Sequence, residues 1–165
     1  MKKFILATVA VSAMFISGAA MAGNSAAVYQ DGYYNSGAYT QNGYGNRGTL
    51  RTSGNANYSS ARQQGRWNYL YQQQIGNRNQ ALTGQYGDSN YAVTGQQGRH
   101  NAAATYQQGS SNTSGIAQIG TNHSAVTDQY GSQNTAATIQ VGNGQTAHTV
   151  QTGYGNTAVV IQGGD

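Results

Sequence analysis

The sequence of 165 residues contains no cysteine, no proline and few charged residues, since Asp, Glu, Lys and Arg make up only 7% of it. Without cysteine, the chain cannot carry disulfides, cysteine-ligated zinc, a thiol nucleophile or covalently attached haem. The only carboxylate side chains, on Asp31, Asp88, Asp128 and Asp165, are far apart in the sequence. They therefore indicate neither a calcium-binding solenoid nor a general acid/base pair. We expect no enzymatic activity, no cofactor and no metal site.

The first 22 residues are predicted to be a secretory signal peptide. Lys2 and Lys3 precede an apolar run over residues 4–16, and residues 20–22 read Ala-Met-Ala, a small-x-small pattern that a signal peptidase cleaves. The apolar run is too short and too interrupted by serine and glycine for a transmembrane helix. We therefore expect a secreted, extracellular protein that begins at Gly23.

Large apolar residues are scarce after Gly23. Leu, Ile and Val supply about a tenth of this part of the chain, whereas Gln and Asn supply about a quarter. An ordinary apolar core cannot be built from that composition. Composition alone favours a disordered matrix protein, so the order of the residues has to decide between disorder and a fold.

Glycine gives the chain a strict eleven-residue period. A glycine recurs at this spacing from Gly32 to Gly164 without a gap. Glutamine stands two residues before each of these glycines, with Thr52 as the one exception, and asparagine stands three residues after most of them. A disordered tract depends on its amino-acid composition but does not require residues at a fixed spacing, so this regular spacing predicts structural units that stack on one another.

Within each unit, constrained and variable positions alternate. Counting the glutamine as position one, position eight is mostly Ala and position ten mostly Thr in the later units, while positions seven, nine and eleven vary. Alternation at period two predicts a strand with one constrained face. A glycine in every unit argues against the alternative, a right-handed helical coiled coil. Each unit is predicted to form a strand of about six residues from the Asn to the next Gln, then a tight turn around the glycine.

Two successive units are predicted to form one coil of an all-β solenoid, with two strands per 22-residue coil. About six coils would form a stack about 29 Å tall at about 4.8 Å per layer, with Ala and Thr facing inward. Side-chain amides in successive coils are predicted to hydrogen-bond as ladders. The predicted ladder residues are Gln74, Asn79, Gln85, Asn90, Gln96, Asn101, Gln107, Asn112, Gln118, Gln129, Asn134, Gln140, Gln151, Asn156 and Gln162. The predicted turn glycines are Gly76, Gly87, Gly98, Gly109, Gly120, Gly131, Gly142 and Gly153.

The C-terminal window is predicted to be a growing edge. A solenoid without polar capping repeats exposes unpaired strand edges that another molecule can extend. Residues 157–162 are the most apolar and β-branched window after residue 22, and they carry no charge. We expect Thr157, Val159, Val160 and Ile161 to form this edge and the chain to polymerise with itself, which makes cross-β fibres the predicted product.

The repeat Gln-x-Gly-x-x-Asn-x-Ala-x-x-x-Gln, seen at residues 85–96 and 151–162, resembles the curlin repeat of curli fibre subunits. The resemblance spans nearly all of the chain after residue 22. It implies a functional amyloid fibre, or fimbrium, at the bacterial cell surface that serves adhesion and the biofilm matrix. It also implies three kinds of partner, namely a nucleating sister curlin, an outer-membrane secretion pore and periplasmic chaperones.

The repeats are not uniform, which divides the chain after the signal peptide into two parts. Residues 23–62 contain degenerate Gly/Tyr-rich units, in which Gly37 and Gly48 replace the alanine of position eight, whereas residues 63–165 are regular. Curlins that resemble the major subunit usually carry a Gly-rich export segment before the repeats, so residues 23–62 are a candidate for that role or for a loose first coil. The unbroken eleven-residue spacing resembles that of the nucleating subunit. That subunit tends to end in basic repeats, however, whereas here every Arg lies between Arg47 and Arg99, so the resemblance favours the major subunit slightly and leaves both open.

Several other interpretations remain. A monomeric secreted solenoid that binds ice or another surface would need its Thr column to face outward, whereas the alternation places it with the inward Ala. Dinucleotide-like glycine patterns at 43–48, 142–147 and 153–158 fall at the repeat turn and open no helix. His100, His123 and His148 occupy different positions in the repeat, so we expect isolated surface histidines. Six dispersed Arg with interleaved Tyr permit incidental binding of extracellular DNA or a host surface.

Overall fold

The computed structural model describes residues 23–164, so the predicted signal peptide at 1–22 lies outside the described residues. These residues form thirteen strands and no helix, and hence no helix that could span a membrane. The strands are β1 (Ser25–Tyr33), β2 (Ser36–Tyr44), β3 (Arg47–Asn55), β4 (Tyr58–Arg66), β5 (Tyr69–Asn77), β6 (Gln80–Asp88), β7 (Tyr91–Arg99), β8 (Ala102–Ser110), β9 (Thr113–Thr121), β10 (Ser124–Ser132), β11 (Thr135–Asn143), β12 (Thr146–Tyr154) and β13 (Thr157–Gly164).

The strands alternate between two parallel sheets. The odd-numbered strands form a seven-stranded sheet in the order β1-β3-β5-β7-β9-β11-β13, and the even-numbered strands form a six-stranded sheet from β2 to β12. Every pairing joins residues 22 apart, as in Gln85↔Gln107 and Gly98↔Gly120. The predicted all-β solenoid of about six coils, with two strands per 22-residue coil, is therefore confirmed.

The core lies between the two sheets and is built from small side chains. Ala81, Ala92 and Ala103 at position eight are buried, as are Thr83 and Thr94 at position ten. Burying Ala and Thr removes little apolar area from water, so the hydrophobic contribution of each layer is small. Ladder hydrogen bonds and close packing of the two sheets must therefore supply much of the stability.

The position of the bend differs from the sequence-based expectation. The strands contain nine residues rather than six, except β13 with eight, and the repeat glycine is the eighth residue of its strand. The bend lies two residues after the glycine, where residues such as Ala56, Trp67 and Arg78 adopt φ of 55–57°. The expectation of a turn around the glycine was wrong because the period fixes which residues stack but not where the chain bends.

Residues 23–62 continue the same solenoid. Strands β1 to β4 pair in the same 22-residue register as the later strands, and no break in pairing occurs at Arg62. The substitutions that make these units degenerate in sequence place Tyr39, Leu50 and Ala61 in a buried cluster with Leu70 of the next unit. The first coils therefore contain large buried apolar side chains that most of the later coils lack.

Candidate functional site: polar ladders and end faces

Two columns of buried glutamines run along the solenoid, one in each sheet. In the seven-stranded sheet, Nε2 of Gln74 donates to Oε1 of Gln96 at 2.9 Å, and Gln96 donates in the same way to Gln118 at 2.8 Å. From Gln41 onward, each Nε2 also donates to a backbone carbonyl sixteen residues earlier, as Gln96 does to Gln80 at 2.9 Å. Because that carbonyl belongs to the other sheet, each of these glutamines links the layers to each other and the two sheets to each other.

The predicted ladder residues fall into four columns. The seven-stranded sheet carries Gln74, Gln96, Gln118, Gln140 and Gln162, and the six-stranded sheet carries Gln85, Gln107, Gln129 and Gln151. One corner of the coil carries Asn90, Asn112, Asn134 and Asn156, and the opposite corner carries Asn79 and Asn101. The four columns also contain Gln41, Gln63, Asn46, Asn57 and Asn68 from the first coils, which the sequence-based list omitted.

The asparagines bind the backbone at the corners. Oδ1 of Asn90 accepts from the backbone N–H of Asn112 at 3.1 Å, and Nδ2 of Asn112 donates to the carbonyl of Gly131 at 2.9 Å. Asparagine suits this place because one short amide offers an acceptor to the next coil and donors to nearby carbonyls. The N–H of each corner asparagine and the carbonyl of the stacked glycine are satisfied in this way, whereas the corner carbonyls bind strand N–H groups, as the carbonyl of Asn90 accepts from the N–H of Tyr69 at 2.8 Å.

Thr52 interrupts one glutamine column. It stacks between Gln30 and Gln74, and its side chain is too short to reach either amide. Three buried polar atoms lack a hydrogen-bond partner at this point, namely Nε2 of Gln30, Oγ1 of Thr52 and Oε1 of Gln74. The sequence showed the exception in the repeat but not the three unsatisfied groups that it produces.

His123 replaces an asparagine in a corner column, and the expectation of a surface histidine is wrong for this residue. Its side chain is buried, its backbone N–H donates to Oδ1 of Asn101 at 3.1 Å, and its Nδ1 accepts from the N–H of Gln145 at 3.3 Å. Nδ1 of the His123 ring thus takes the place of the asparagine Oδ1 as acceptor for the backbone N–H of the next coil. His100 and His148 are exposed, and His148 contacts Asp128.

The first half of the core contains a polar bridge that the sequence analysis missed. Oγ of Ser59 donates to Oε1 of Gln72 at 2.7 Å, and Nε2 of Gln72 donates to Oγ1 of Thr83 at 2.6 Å. Ser59 and Thr83 belong to the six-stranded sheet and Gln72 to the seven-stranded sheet, so the bridge crosses the core. Its signal in the sequence is a glutamine at position ten, where the later units have threonine.

The repeat glycines stack on one another with no space for a side chain. All eight predicted turn glycines have positive φ, between 109° and 132°. In seven of them, a Cβ would collide with the carbonyl oxygen of the glycine one coil further on, and only at Gly153, at the open end, is that space empty. Glycine is required here by both the backbone conformation and the close approach of neighbouring coils.

The outward positions carry contacts that differ from coil to coil. Tyr69 and Tyr91 stack with ring centroids 4.7 Å apart. Arg66 and Asp88 form an exposed ion pair at 2.7 Å, and the hydrogen bond from Arg66 holds the pKa of Asp88 below its ordinary value.

Within residues 23–164, no three His, Asp or Glu side chains are grouped so as to hold a metal ion.

Both ends of the described solenoid are open strand edges. One end is formed by β1 and β2 and the other by β12 and β13. On β13, Thr157, Val159 and Ile161 are exposed, with Ile161 at 72%, whereas Val160 points inward and is partly buried. Large apolar side chains and unpaired backbone groups thus lie together at the predicted growing edge.

The position-ten threonines do not form an outward array. Thr83, Thr94, Thr105, Thr127, Thr138 and Thr149 are all buried between the sheets. An ice-binding surface built from this column is therefore not available in the folded chain.

The β-solenoid is compatible with a structural repeat protein.

When the chain is compared with protein-family models and with curated proteins, neither comparison finds a match.

Proposed function

We propose that the chain is the structural subunit of a curlin-like amyloid fibre that assembles outside the bacterial cell and serves adhesion and the biofilm matrix. The observation that carries this proposal is the pair of open ends, because β13 offers an unpaired edge with exposed Val159 and Ile161. A second copy that continues the parallel pairing would bury this edge. The curlin-like repeat supports the same function.

The proposal includes the route to the cell surface. Residues 1–22 act as the signal peptide, and the chain is then held by periplasmic chaperones and exported through an outer-membrane pore. A sister curlin nucleates the fibre. These partners rest on the resemblance in the repeat, whereas self-association rests on the edges of the two sheets.

Fibre diffraction and seeded assembly test self-association. The chain, freed of residues 1–22, is expected to form fibres with spacings of about 4.8 Å along the axis and about 10 Å across it. Thioflavin fluorescence should rise after a lag that preformed fibres abolish. A well-folded chain that stays monomeric with or without seeds would contradict the proposal.

Two matched variants locate the growing edge. Val160→Lys places a charge on the inward side of β13, which the open end tolerates in the monomer but which stacking would bury. Ile161→Lys places the same charge on the outward side, where it stays in water. We expect the first variant to abolish elongation of wild-type seeds and the second to elongate them within about twofold of the wild-type rate. Circular dichroism shows that both monomers are folded, and equal elongation by both would contradict this location of the edge.

A further inference from the structure

The ladders give the two ends of the solenoid different chemistry. In each glutamine column, Nε2 of one residue donates to Oε1 of the residue one coil nearer the C-terminus, as in Gln129 to Gln151 and Gln140 to Gln162. The C-terminal end therefore presents the amide nitrogens of Gln151 and Gln162, whereas the N-terminal end presents the amide oxygens of Gln30 and Gln41. Two copies are complementary only when unlike ends meet, because two like ends would oppose donors to donors or acceptors to acceptors.

The number of strands determines how unlike ends can meet. Thirteen strands make six and a half coils. The seven-stranded sheet therefore extends one strand further than the six-stranded sheet, and β13 lies one layer beyond β12 at the C-terminal end. Among the described strands, the open position of the six-stranded sheet is the one beside β12. In the fibre, the strand that fills this position belongs to the following copy, and the first described strand of that copy is β1.

We infer that successive copies stack head to tail with a rotation of half a coil, so that β1 of one copy pairs with β12 of the preceding copy and β2 pairs with β13. This inference rests on the proposed fibre-forming function. The seven-stranded sheet of one copy then continues into the six-stranded sheet of the next. The fibre repeats after two copies, with each copy advancing six and a half layers, or about 31 Å.

The repeat register supports this junction residue by residue. When β1 continues from β12, Gln30 follows Gln151 and Gly32 follows Gly153. When β2 continues from β13, Gln41 follows Gln162 and Gly43 follows Gly164. Both glutamine columns and both glycine columns thus pass through the junction unbroken. The inward residues Val28 and Tyr39 come to lie on Thr149 and Val160, which covers Val28, 42% exposed in the single chain, and the partly buried Val160.

The alternative junction, without rotation, places β1 on β13. It leaves β12 of one copy and β2 of the next separated by an empty layer, with the facing backbone groups of two nine-residue strands unpaired inside the fibre. Because buried backbone groups are almost always hydrogen-bonded, the half-coil rotation is the arrangement that the edges favour.

Cysteine cross-linking distinguishes the two junctions, and the chain has no native cysteine to interfere. The rotated junction pairs Tyr29 with Val150 of the preceding copy, whereas the unrotated junction pairs it with Ile161. All three side chains point outward and are exposed. Residues paired in a parallel sheet lie about 4.8 Å apart, within the range that a disulfide spans. In one chain, Tyr29 lies on the first strand and Val150 and Ile161 on the last two, so only contacts between copies can join them.

Fibres of the double variants Y29C/V150C and Y29C/I161C are grown reduced, oxidised, dissolved in formic acid and separated on a non-reducing gel. We expect a ladder of covalent multimers for Y29C/V150C, at least tenfold above the amount for Y29C/I161C. A ladder from Y29C/I161C instead, or fibres that give no ladder with either pair, would overturn the rotated junction and leave the proposed function standing. Failure of the wild-type chain to form fibres would overturn both.

Deletion of whole units provides a second test by electron cryomicroscopy of fibres. The wild-type subunit should show a rise of about 31 Å with a half-coil rotation, rather than the seven layers, or about 34 Å, of the unrotated junction. Deleting residues 102–112 leaves twelve strands, so the half-coil rotation should disappear and the rise fall to about 29 Å. Deleting residues 91–112 removes a full coil and should preserve the rotation. A wild-type rise of seven layers would overturn the inference.

Discussion

Tyr39 and Gly48 fit each other across the core, because the phenol of Tyr39 on β2 fills the space that a side chain at Gly48 on β3 would need. The Tyr39 hydroxyl donates to Oε1 of Gln63 and accepts from Nε2 of Gln41 at 2.8 Å. Burial raises the pKa of Tyr39 well above its ordinary value, and the hydrogen bond with Gln41 offsets part of this shift. An aromatic residue in one irregular unit is thus accommodated by a glycine in the next.

This pKa shift predicts a loss of stability at alkaline pH. A group whose pKa is higher in the folded chain contributes fully below its unfolded pKa, here about 10, and loses that contribution as the pH rises above it. We expect the free energy of unfolding to fall above this pH by up to about 1.4 kcal/mol per pH unit from Tyr39 alone. Denaturant midpoints at several pH values measure the effect.

The variant Tyr39→Phe is the control for alkaline unfolding. It has no phenol at this position, so its stability should depend less on pH above about 10. Tyr106, whose pKa is also raised by burial and by the nearby Tyr86 and Tyr130, is present in both chains and cancels in the comparison. Equal alkaline dependence in the two chains would show that Tyr39 ionises as freely in the fold as outside it.

Substitution by alanine is expected to have opposite effects at two glycines of β7, because Gly98 stacks on the glycine of the next coil and Gly95 does not. Gly98→Ala should destabilise the chain by more than about 3 kcal/mol, because φ is 122° and the new Cβ would collide with the carbonyl oxygen of Gly120. Gly95→Ala has no heavy atom within 4 Å of the new Cβ and an ordinary φ. It should be neutral or stabilise by up to about 1 kcal/mol. Urea midpoints of the two monomers measure the difference, and similar losses in both would contradict the stacking requirement.

The interrupted glutamine column predicts a stabilising substitution. In Thr52→Gln, the new amide can accept from Nε2 of Gln30 and donate to Oε1 of Gln74, which satisfies two buried groups at once. We expect a gain of about 1–3 kcal/mol in the free energy of unfolding. The reverse change, Gln96→Thr, creates the same gap in an intact column and should cost at least as much. A loss of stability in Thr52→Gln would mean that the column at this point does not accept a longer side chain.

Buried threonines without partners predict a second matched pair. Oγ1 of Thr138 is buried and makes no hydrogen bond, and its neighbours in the column are Ile116 and Val160. Thr138→Val should therefore stabilise the chain by about 1 kcal/mol. Thr83→Val should instead destabilise it, since Oγ1 of Thr83 accepts from Nε2 of Gln72 at 2.6 Å. Thermal unfolding of the two variants gives the sign of each change, and equal signs would contradict the hydrogen-bond assignment.

The repeat predicted the register of the fold but not its irregular contacts. A glutamine every eleven residues and alternating Ala and Thr fixed the 22-residue pairing and the inward face, because these depend only on period and alternation. The bend at Ala56 or Trp67 was missed because only the stacked glycines, not the residues two positions later, are restricted to one amino acid. The fit of Tyr39 to Gly48 and the burial of His123 depend on neighbours from other units, which no repeat pattern reveals.

The glutamine columns also determine how the solenoid carries load. Its backbone hydrogen bonds lie along the stacking axis, so a pull along that axis acts on every layer in series, and the weakest layer yields first. The layers between Gln30 and Gln74 have no amide link through Thr52, whereas each later layer of that column has one. A fibre built from this chain would therefore have two adjacent weak contacts between layers in each subunit, placed near its N-terminal end by a single short side chain.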